Sequence, residues 1–391
     1  MISAELLKKF QEIADHPDRQ KEAYQDMGKK IVLMAPVYTP EEIVHSMGMV
    51  PMGIWGADME LKESKRYFPS FICSIMQSIV ELGMKGAYEG AAAIIIPSLC
   101  DSLKVLGENW KYAVPSIPFI PMTYPQNRKP DYGKTYTKAS YKRLIWDLSR
   151  ISGASFEDDR LAASIQVYNE HNATMRELTE VLADNSSVSA RQRNAVYKSA
   201  YFILKEEHTA LVKELIKALR EEAYVEPLKG TNVENTKIKI MTTGIISDCP
   251  SLLDIMEENN LRIVCDDVAG ESRQYRTDAK PADTALDSLV TKFSDMDYCS
   301  VLYNVQKKRV NMIVETAKEK GARGVFVLLT KFCDPEEFDY PFIKKACEAE
   351  GLPVVLIEVD RQMVNYEQAR TIVETFSLYI QEMTMGGKKY E

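Results

Sequence analysis

Two short apolar runs, each followed within a few residues by the pair Cys-Asp, constrain the fold of this 391-residue chain more than any other feature. The first run is 93–96, ahead of Cys100, and the second is 325–329, ahead of Cys333. Continuous β-branched and apolar residues of this length predict buried strands of a parallel sheet. Each thiol then falls where a strand turns into the next helix, which is the edge where such sheets bind ligands. We therefore expect both thiols at a ligand-binding edge.

The position of each thiol at the start of a helix also predicts its chemistry. The positive end of a helix lowers the pKa of a nearby thiol and favours the thiolate, which is the form that binds metals. Cys100 and Cys333 are far apart in the chain. Because both are expected at sheet edges, the sequence predicts that they can meet at one site for a thiophilic metal.

Length, composition and charge are typical of a globular protein with more than one domain. The chain is longer than one ordinary core, and 45% of its residues are hydrophobic and 27% charged. The net charge of -8 and the lack of a basic stripe argue against nucleic-acid binding, because phosphate contacts need clustered Lys and Arg. We interpret the lone basic triplet 307–309 as a solvated helix face.

Neither a secretory signal nor a membrane span is expected. The chain opens with an amphipathic helix pattern, and no apolar run approaches the length of a span. We therefore expect a cytoplasmic protein with no membrane contact. Its seven cysteines are then free thiols or metal ligands, because the cytosol is reducing.

Coarse periodicity divides the chain into three parts. Strand and helix patterns alternate up to about residue 124, long helical segments follow, and the alternation resumes after the polar stretch 228–232, with four strands expected in each α/β part. The predicted domains are an N-terminal α/β domain with leading helices at 1–133, a helical segment at 134–230 and a C-terminal α/β domain at 231–391. The fold class is therefore α/β, with two Rossmann-like parallel-sheet domains around a helical middle segment.

The other cysteines divide into candidates and structural residues. Cys73 falls in the first turn of the helix predicted ahead of the Cys100 strand, so it can reach the same edge, although an apolar helix face is favoured until a partner is shown. Cys265 also ends a predicted strand before an Asp, and local sequence alone does not exclude it. We interpret the remaining three as structural: Cys249, Cys299 and Cys347.

The spacing of the cysteines narrows the kind of metal site. The sequence has no CxxC pair of the sort that presents two thiolates to one zinc ion, and no clustered run of the ferredoxin type. Widely separated thiolates from different domains suit a cluster held at the domain interface. One position of that cluster would be left open or filled by a non-protein ligand.

Other catalytic signatures are missing from the sequence. It has no G-x-G-x-x-G, no Walker A and no nucleophile elbow, so a self-sufficient dinucleotide enzyme, an NTPase and a serine hydrolase all lack their signature. The histidines lie far apart, and each is predicted to lie on a polar helix face. They are His16, His45, His171 and His208.

Six motifs spread over nearly the whole chain carry a family resemblance. They are 49–56, 71–78 with Cys73, 94–101 with Cys100, 109–111, 273–278, and 331–337 with Cys333 followed by 339–341. Together they resemble the 2-hydroxyacyl-CoA dehydratases, and most of all the smaller, β subunit of the 2-hydroxyisocaproyl-CoA and phenyllactyl-CoA type. The resemblance implies that Cys73, Cys100 and Cys333 hold a [4Fe-4S] cluster at the domain interface. It thereby makes Cys73 a stronger candidate for a cluster ligand and Cys265 a weaker one.

The resemblance also implies a radical reaction. Removing water from a 2-hydroxyacyl-CoA requires the loss of a β-proton that no carbonyl acidifies, which general acid–base catalysis is poorly placed to achieve. In the family an ATP-dependent iron-sulfur activator injects one electron, and a ketyl radical on the thioester acidifies the proton before the electron is recycled. The acyl-CoA substrate is expected mainly at the α subunit of the heterodimer, so this chain would relay the electron.

Some functional details stay open at this point. Lys331, Asp101 and Asp334 are candidates to tune the cluster, or are simply residues at the start of a helix. Alternative functions are a subunit of a CoA-ester reductase of the benzoyl-CoA reductase kind, a homodimeric electron-storage protein with a larger cluster, and a non-enzymatic α/β binding module. The sequence defines neither the acyl group nor the fourth ligand of the cluster.

Overall fold

Two four-stranded parallel sheets form the framework of the computed structural model, which describes residues 2–225, 237–363 and 365–386. Helices precede, separate and follow these sheets. Within the described ranges, no helix is long and apolar enough to cross a lipid bilayer.

The first sheet has the strand order β2-β1-β3-β4. Its strands are β1 (Ile31–Met34), β2 (Val50–Gly53), β3 (Ala93–Pro97) and β4 (Phe119–Met122). Its helices are α1 (Ile2–Asp15), α2 (Pro17–Asp26), α3 (Glu41–Ser46), α4 (Ser74–Met84) and α5 (Asp101–Ala113). The central strands β1 and β3 are buried along their whole length, which explains their continuous apolar sequences.

Four helices connect the two sheets. They are α6 (Asp131–Ser152), α7 (Asp158–Asp184), α8 (Ala190–Ser199) and α9 (Lys205–Val225). The leading helix α1 packs on this group, because Phe10 shares a buried core with Leu178 of α7, Tyr197 of α8 and Leu215 of α9. The middle of the chain and its first helix therefore form one helical layer.

The second sheet has the strand order β6-β5-β7-β8. Its strands are β5 (Ile238–Gly244), β6 (Leu261–Val268), β7 (Val325–Thr330) and β8 (Val354–Val359). Its helices are α10 (Pro250–Glu258), α11 (Ala285–Asp295), α12 (Lys308–Glu319), α13 (Asp334–Ala349) and α14 (Glu367–Gly386). The strand order repeats that of the first sheet, with the third strand of each sheet buried and placed between the first and the last.

The α/β class with two parallel sheets is confirmed, and the eight predicted strands are all present. The domain limits at residues 133 and 230 stay predictions. The polar stretch 228–232, which suggested the second limit, lies outside the described residues.

The carboxyl ends of the two sheets face each other, and Arg361 joins the halves there. This buried guanidinium follows β8 and donates to Asp58 and to the backbone carbonyl of Trp55 in the first half, at 2.9 Å each. It also binds both carboxylate oxygens of Asp248 in the second half, at 2.8 and 2.9 Å. The two ligand-binding edges are thereby held against one another.

Candidate metal centre

Three cysteines stand immediately before three helices at the facing edges of the two sheets. Cys73 precedes α4, Cys100 follows β3 and precedes α5, and Cys333 follows β7 and precedes α13. Each is therefore an N-cap residue, where the unpaired backbone N–H groups of the first helical turn surround the side chain. Cys73 lies one residue ahead of the helical turn in which the sequence placed it.

The three cysteines line one cavity of about 690 Å³ between the two halves. Cys73 and Cys333 are buried, and Cys100 is half-buried. Burial raises the pKa of the Cys333 thiol well above its ordinary value, and the neighbouring Cys73 and Cys100 raise it further. The three side chains thus lie within electrostatic reach of one another, although they are distant in sequence.

Backbone amides of the following helices reach each thiol. The donors are Ile75 and Met76 for Cys73, Ser102 and Leu103 for Cys100, and Glu336 for Cys333. Such donors stabilise negative charge on sulfur. The geometry that the sequence predicted for a thiolate is therefore present at all three positions.

The predicted direction of the thiol pKa is nevertheless wrong. Burial raises the pKa of Cys73 to about 12, and it also raises the pKa of Cys100 and Cys333, although the helix N–H groups act in the opposite direction. The free energy needed to remove a thiolate from water is larger than the stabilisation that the helix N–H groups provide. A bound cation would itself supply the charge that deprotonates the three thiols.

The residue types of this donor set are those that bind iron-sulfur clusters. Within residues 2–225, 237–363 and 365–386, no three His, Cys, Asp or Glu side chains converge closely enough to bind one metal ion. In a cubane each thiolate binds a different iron, so its ligands are spaced more widely around a larger body. Three thiols around a cavity of this size match that requirement.

A buried network of ion pairs lies next to Cys333, at the start of α13. Glu336, in the first turn of α13, accepts hydrogen bonds from Arg309 at 2.8 Å, Ser300 at 2.7 Å and Arg273 at 3.3 Å. Arg309 also donates to Asp267 at 2.7 Å. Because both guanidinium groups bind more than one carboxylate, they fix the start of α13 and hence the loop that carries Cys333.

Charge balance explains why this network stays ionised. Burial acts to raise the pKa of Glu336, but Arg309 and Arg273 outweigh it and hold that pKa below its ordinary value. The pKa of Asp267 is likewise lowered, because Arg273, Arg309 and Arg276 outweigh its burial. The interpretation of 307–309 as a solvated face is therefore wrong for Arg309, which is only 3% exposed.

The residues that the sequence nominated for tuning the cluster lie nearer the surface than this network. Asp101 is exposed and pairs with Lys104 at 2.9 Å, and Lys331 pairs with Glu358 at 3.6 Å. Asp334 is exposed at the first position of α13. Their placement agrees with the alternative that they are residues at the start of a helix. The network of Arg309 was missed because it joins segments far apart in sequence.

The other cysteines occupy different surroundings. Cys265 lies on β6 among side chains of α12, with its Sγ atom 4.0 Å from the carbonyl oxygen of Thr316. Cys347 is fully buried on the far part of α13, and Cys249 caps α10. Cys299 does reach the wall of the cysteine cavity, where its sulfur accepts a hydrogen bond from Arg273 at 3.4 Å.

Backbone strain is concentrated around the same cavity. Phe332, immediately before Cys333, has φ 61, and Tyr298 on the cavity wall also has φ 61. Residues with a side chain rarely adopt this left-handed region, and such strain gathers at functional sites. The cavity therefore has the local signature of a site shaped for a ligand.

Two histidines contradict the prediction of a polar helix face. His171 and His208 are fully buried, and their ring nitrogens Nε2 and Nδ1 lie 2.9 Å apart. Burial and then Lys205 lower the pKa of His208 to about 3, so the ring is neutral at physiological pH. The pair joins α7 to α9 and belongs to the helical layer, away from the cysteines.

The chain matches the family described as "HGD-D: 2-hydroxyglutaryl-CoA dehydratase, D-component" over residues 36–377. That match includes Cys73, Cys100 and Cys333, and it covers every strand of the two sheets except β1. The family model thus covers most of the chain.

Characterised relatives are similar over nearly the full length. The chain is 44% identical to the (R)-phenyllactyl-CoA dehydratase beta subunit of Clostridium sporogenes, over 96% of this chain and 98% of that protein. It is 37% identical to the lactoyl-CoA dehydratase subunit beta of Anaerotignum propionicum, over 95% and 97%. A benzoyl-CoA reductase subunit of Thauera aromatica is more distant, at 26% identity over 90% and 92%.

Proposed function

The chain belongs to the 2-hydroxyglutaryl-CoA dehydratase D-component family, and on that premise we propose that it is the β subunit of an oxygen-sensitive, radical (R)-2-hydroxyacyl-CoA dehydratase. Family membership makes it a subunit of a dehydratase, which is a hydro-lyase, and in the proposed reaction a 2-hydroxyacyl-CoA loses water to give a 2-enoyl-CoA. The observation that carries the proposal is the convergence of Cys73, Cys100 and Cys333 on one cavity.

Within this proposal, the three cysteines bind a [4Fe-4S] cluster. Such a cluster, when bound, supplies one-electron transfer. The chain contributes the ligands, the amide donors toward each sulfur and a largely apolar enclosure. Val37, Ile75 and Val301 are among the apolar residues that line this enclosure.

Charged side chains of both signs stand in the cavity wall. Lys104, Lys307 and Arg309 line the cavity together with Asp101, Asp334 and Asp339. Arg309 is held by three carboxylates, and Lys307 donates to Asp339 at 2.6 Å. Because hydrogen bonds and nearby charge tune the potential of a cluster, we assign Lys307 and Arg309 to tuning and positioning.

The proposal includes two protein partners. An α subunit would complete the heterodimer and bind most of the acyl-CoA substrate, as the beta-subunit names of the relatives suggest. An ATP-dependent iron-sulfur activator would deliver the electron that this chain relays. We place the complex in the cytoplasm as part of the same proposal.

Membership of a CoA-ester reductase is the second candidate function. The relation to the benzoyl-CoA reductase of Thauera aromatica supports it, but the identity of 26% is well below the 44% to the phenyllactyl-CoA dehydratase protein. The dehydratase is therefore the better-supported function, and a non-enzymatic module is the least supported.

The test is co-purification with the neighbouring α subunit under nitrogen, followed by assay with activator, ATP, reductant and several 2-hydroxyacyl thioesters. We expect 2-enoyl-CoA formation only when both subunits and the activator are present. Turnover by the isolated chain would overturn the relay role. A ring-reduced product would favour the reductase, and an iron-free, colourless preparation would favour the binding module.

A further inference from the structure

We propose that a second cavity between the two halves binds a small organic cation of the quaternary ammonium class. This cavity has a volume of about 320 Å³ and is lined by the end of β2, by α8 and by the segments that follow β5 and β6. Carboxyl ends of parallel strands are where α/β sheets bind ligands. The volume falls within the range of about 300–1,000 Å³ that is typical of small-molecule sites.

Carboxylates outnumber cations in the lining of this cavity. Four acidic residues and two lysines line it: Asp15, Asp18, Asp248, Glu271, Lys21 and Lys198. Asp15 and Asp18 are exposed at the mouth, whereas Glu271 is buried in the inner wall. A cleft in which one sign of charge prevails attracts ligands of the opposite sign. The lining therefore favours a cationic ligand.

The cations around Asp248 do not supply the missing positive charge. Lys198 Nζ lies 3.9 Å from Asp248 Oδ2. Arg361 binds the same carboxylate, but it also pairs with Asp58 at 2.9 Å. Two cations thus face two carboxylates in this part of the wall, and their charges balance. At the mouth, Lys21 is a single ammonium group against two exposed carboxylates.

The buried excess of negative charge lies at Arg193. This guanidinium pairs with both Asp266 and Glu271, and all three side chains are buried. One cation is therefore shared by two carboxylates, and Glu271 brings the excess to the wall of the cavity. Because a buried charge is costly without a partner of opposite sign, a cation bound in the cavity would stabilise this group.

The hydrogen bonds of the inner acids favour a cation without N–H groups. Glu271 accepts a hydrogen bond from Asn194 at 2.9 Å and another from Ser247. Both oxygens of Asp248 accept hydrogen bonds from Arg361. Because these acceptors are occupied, a primary ammonium group would not recover there the hydrogen bonds that it makes with water. A quaternary ammonium group has no such hydrogen bonds to replace.

Aromatic side chains supply the surface that such a cation needs. Four rings line the cavity: Trp55, Tyr88, Tyr201 and Phe202. Trp55 and Phe202 are half-buried, so part of each ring is accessible to a ligand. Ring faces attract cations, Trp most strongly, and proteins recognise quaternary ammonium ligands in this way.

The position of the Trp55 ring is fixed before any ligand binds. Its centroid lies 5.3 Å from that of the Tyr201 ring. The Tyr201 hydroxyl donates to the carbonyl oxygen of Gly270 at 3.0 Å. The carbonyl oxygen of Trp55 itself accepts a hydrogen bond from Arg361 at 2.9 Å. A preformed wall of this kind reduces the entropy that is lost on binding.

The second cavity is independent of the cysteine site and of the function proposed above. Ile245 lines the cysteine cavity, and the next residue, Ile246, lines this one. The two cavities share this wall and no lining residue. A ligand in the second cavity would leave Cys73, Cys100 and Cys333 accessible to a cluster.

The experiment is a ligand-observed NMR titration of the full-length, iron-loaded chain with choline at low ionic strength. The uncharged isostere of choline, 3,3-dimethyl-1-butanol, tests the positive charge separately. Lys198→Met removes a cation from the lining, and Lys213→Met on α9 is its exposed control. Trp55→Leu removes the accessible ring, and Trp146→Leu on α6 is its exposed control.

Support would be one saturable site for choline, with the isostere binding about tenfold more weakly or worse. Choline should bind Lys198→Met about threefold more tightly, because a like charge is removed from the lining. It should bind Trp55→Leu about tenfold more weakly, and the two control variants should bind it as the original chain does.

The proposal is overturned by the absence of a saturable site or by equal binding of choline and its isostere. It is also overturned by unchanged or weaker binding to Lys198→Met, or by equal losses in the two tryptophan variants. Circular dichroism of each variant checks the fold. The isostere and the lysine variants decide the question if Trp55→Leu does not fold.

Discussion

The two halves of the molecule hold their cysteines in different ways. In the first half, Cys73 packs among apolar side chains such as Ile72 and Ile75, and Cys100 packs against the same core. In the second half, Cys333 borders the same apolar core, but the helix that it caps is also held by the buried charges around Arg309. Apolar packing tolerates small changes, whereas a buried ionic network fails when one partner is lost. The C-terminal half should therefore be the more fragile support of the site.

The largest expected effect tests whether the one proposed ligand in the C-terminal half, Cys333, is needed at all. We expect Cys333→Ala to lose the iron and acid-labile sulfide of the anaerobically purified protein, because one of three proposed ligands is removed. Cys347→Ala, within the helix α13 that Cys333 precedes, should keep both. Equal iron content in the two variants would contradict the assignment of Cys333.

The second prediction compares the two kinds of support directly. Arg309→Met should lower the free energy of unfolding by about 3–5 kcal/mol, because it leaves buried carboxylates without their partner. Ile79→Val, in the fully buried core of α4, should cost only about 0.5–1.5 kcal/mol. Urea unfolding of the full-length chain under nitrogen measures both. Similar losses in the two variants would remove the difference between the halves.

The third prediction concerns the helical layer, which belongs to neither sheet. The pKa of His208 falls from 6.5 to about 3 on folding, so the unfolded chain binds a proton that the folded chain does not. Stability is therefore full above pH 6.5 and is lost as the pH falls toward 3, by about 1.4 kcal/mol at pH 5.5.

His208→Gln provides the control for this pH dependence. The variant removes the titrating ring, so its unfolding free energy should fall less between pH 7.5 and pH 5.5 than that of the original chain. Urea unfolding at the two pH values measures the difference. An unchanged pH dependence in the variant would show that other groups cause the loss.

The smallest effect is expected at the exposed residues near the cysteines. Asp101→Asn and Lys331→Met should leave the iron content and the midpoint of unfolding unchanged, because both side chains lie at the surface. A clear loss of iron in either variant would show that these residues support the cluster, and the contrast between them and the buried Arg309 would then be weaker.

Local patterns were enough to predict the framework of the fold and part of the site. The buried strands were predictable because Ala93–Pro97 and Val325–Thr330 are continuous apolar runs, which few structures other than central parallel strands accommodate. The shared cavity of Cys100 and Cys333 followed from the rule that strand ends bind ligands. Cys73 needed the family resemblance, because its own segment has the pattern of an apolar helix start.

The failures had a different physical origin. The partners of Arg309 and His208 come from distant segments, so their local sequence resembles ordinary polar helix surface. The pKa of the thiols was misjudged because the effect of the helix N–H groups is local, whereas burial depends on the whole fold. Local sequence patterns therefore do not predict which polar side chains pair in the folded chain, or how strongly burial shifts a pKa.

The facing sheets have a consequence for biosynthesis. Because the cysteine cavity takes walls from both ends of the polypeptide, it does not exist while only the first sheet has emerged from the ribosome. Until the C-terminal half has been synthesised, Cys73 and Cys100 are present without Cys333. A cluster bound by all three cysteines could therefore be completed only after the segment that carries Cys333 has been synthesised and folded.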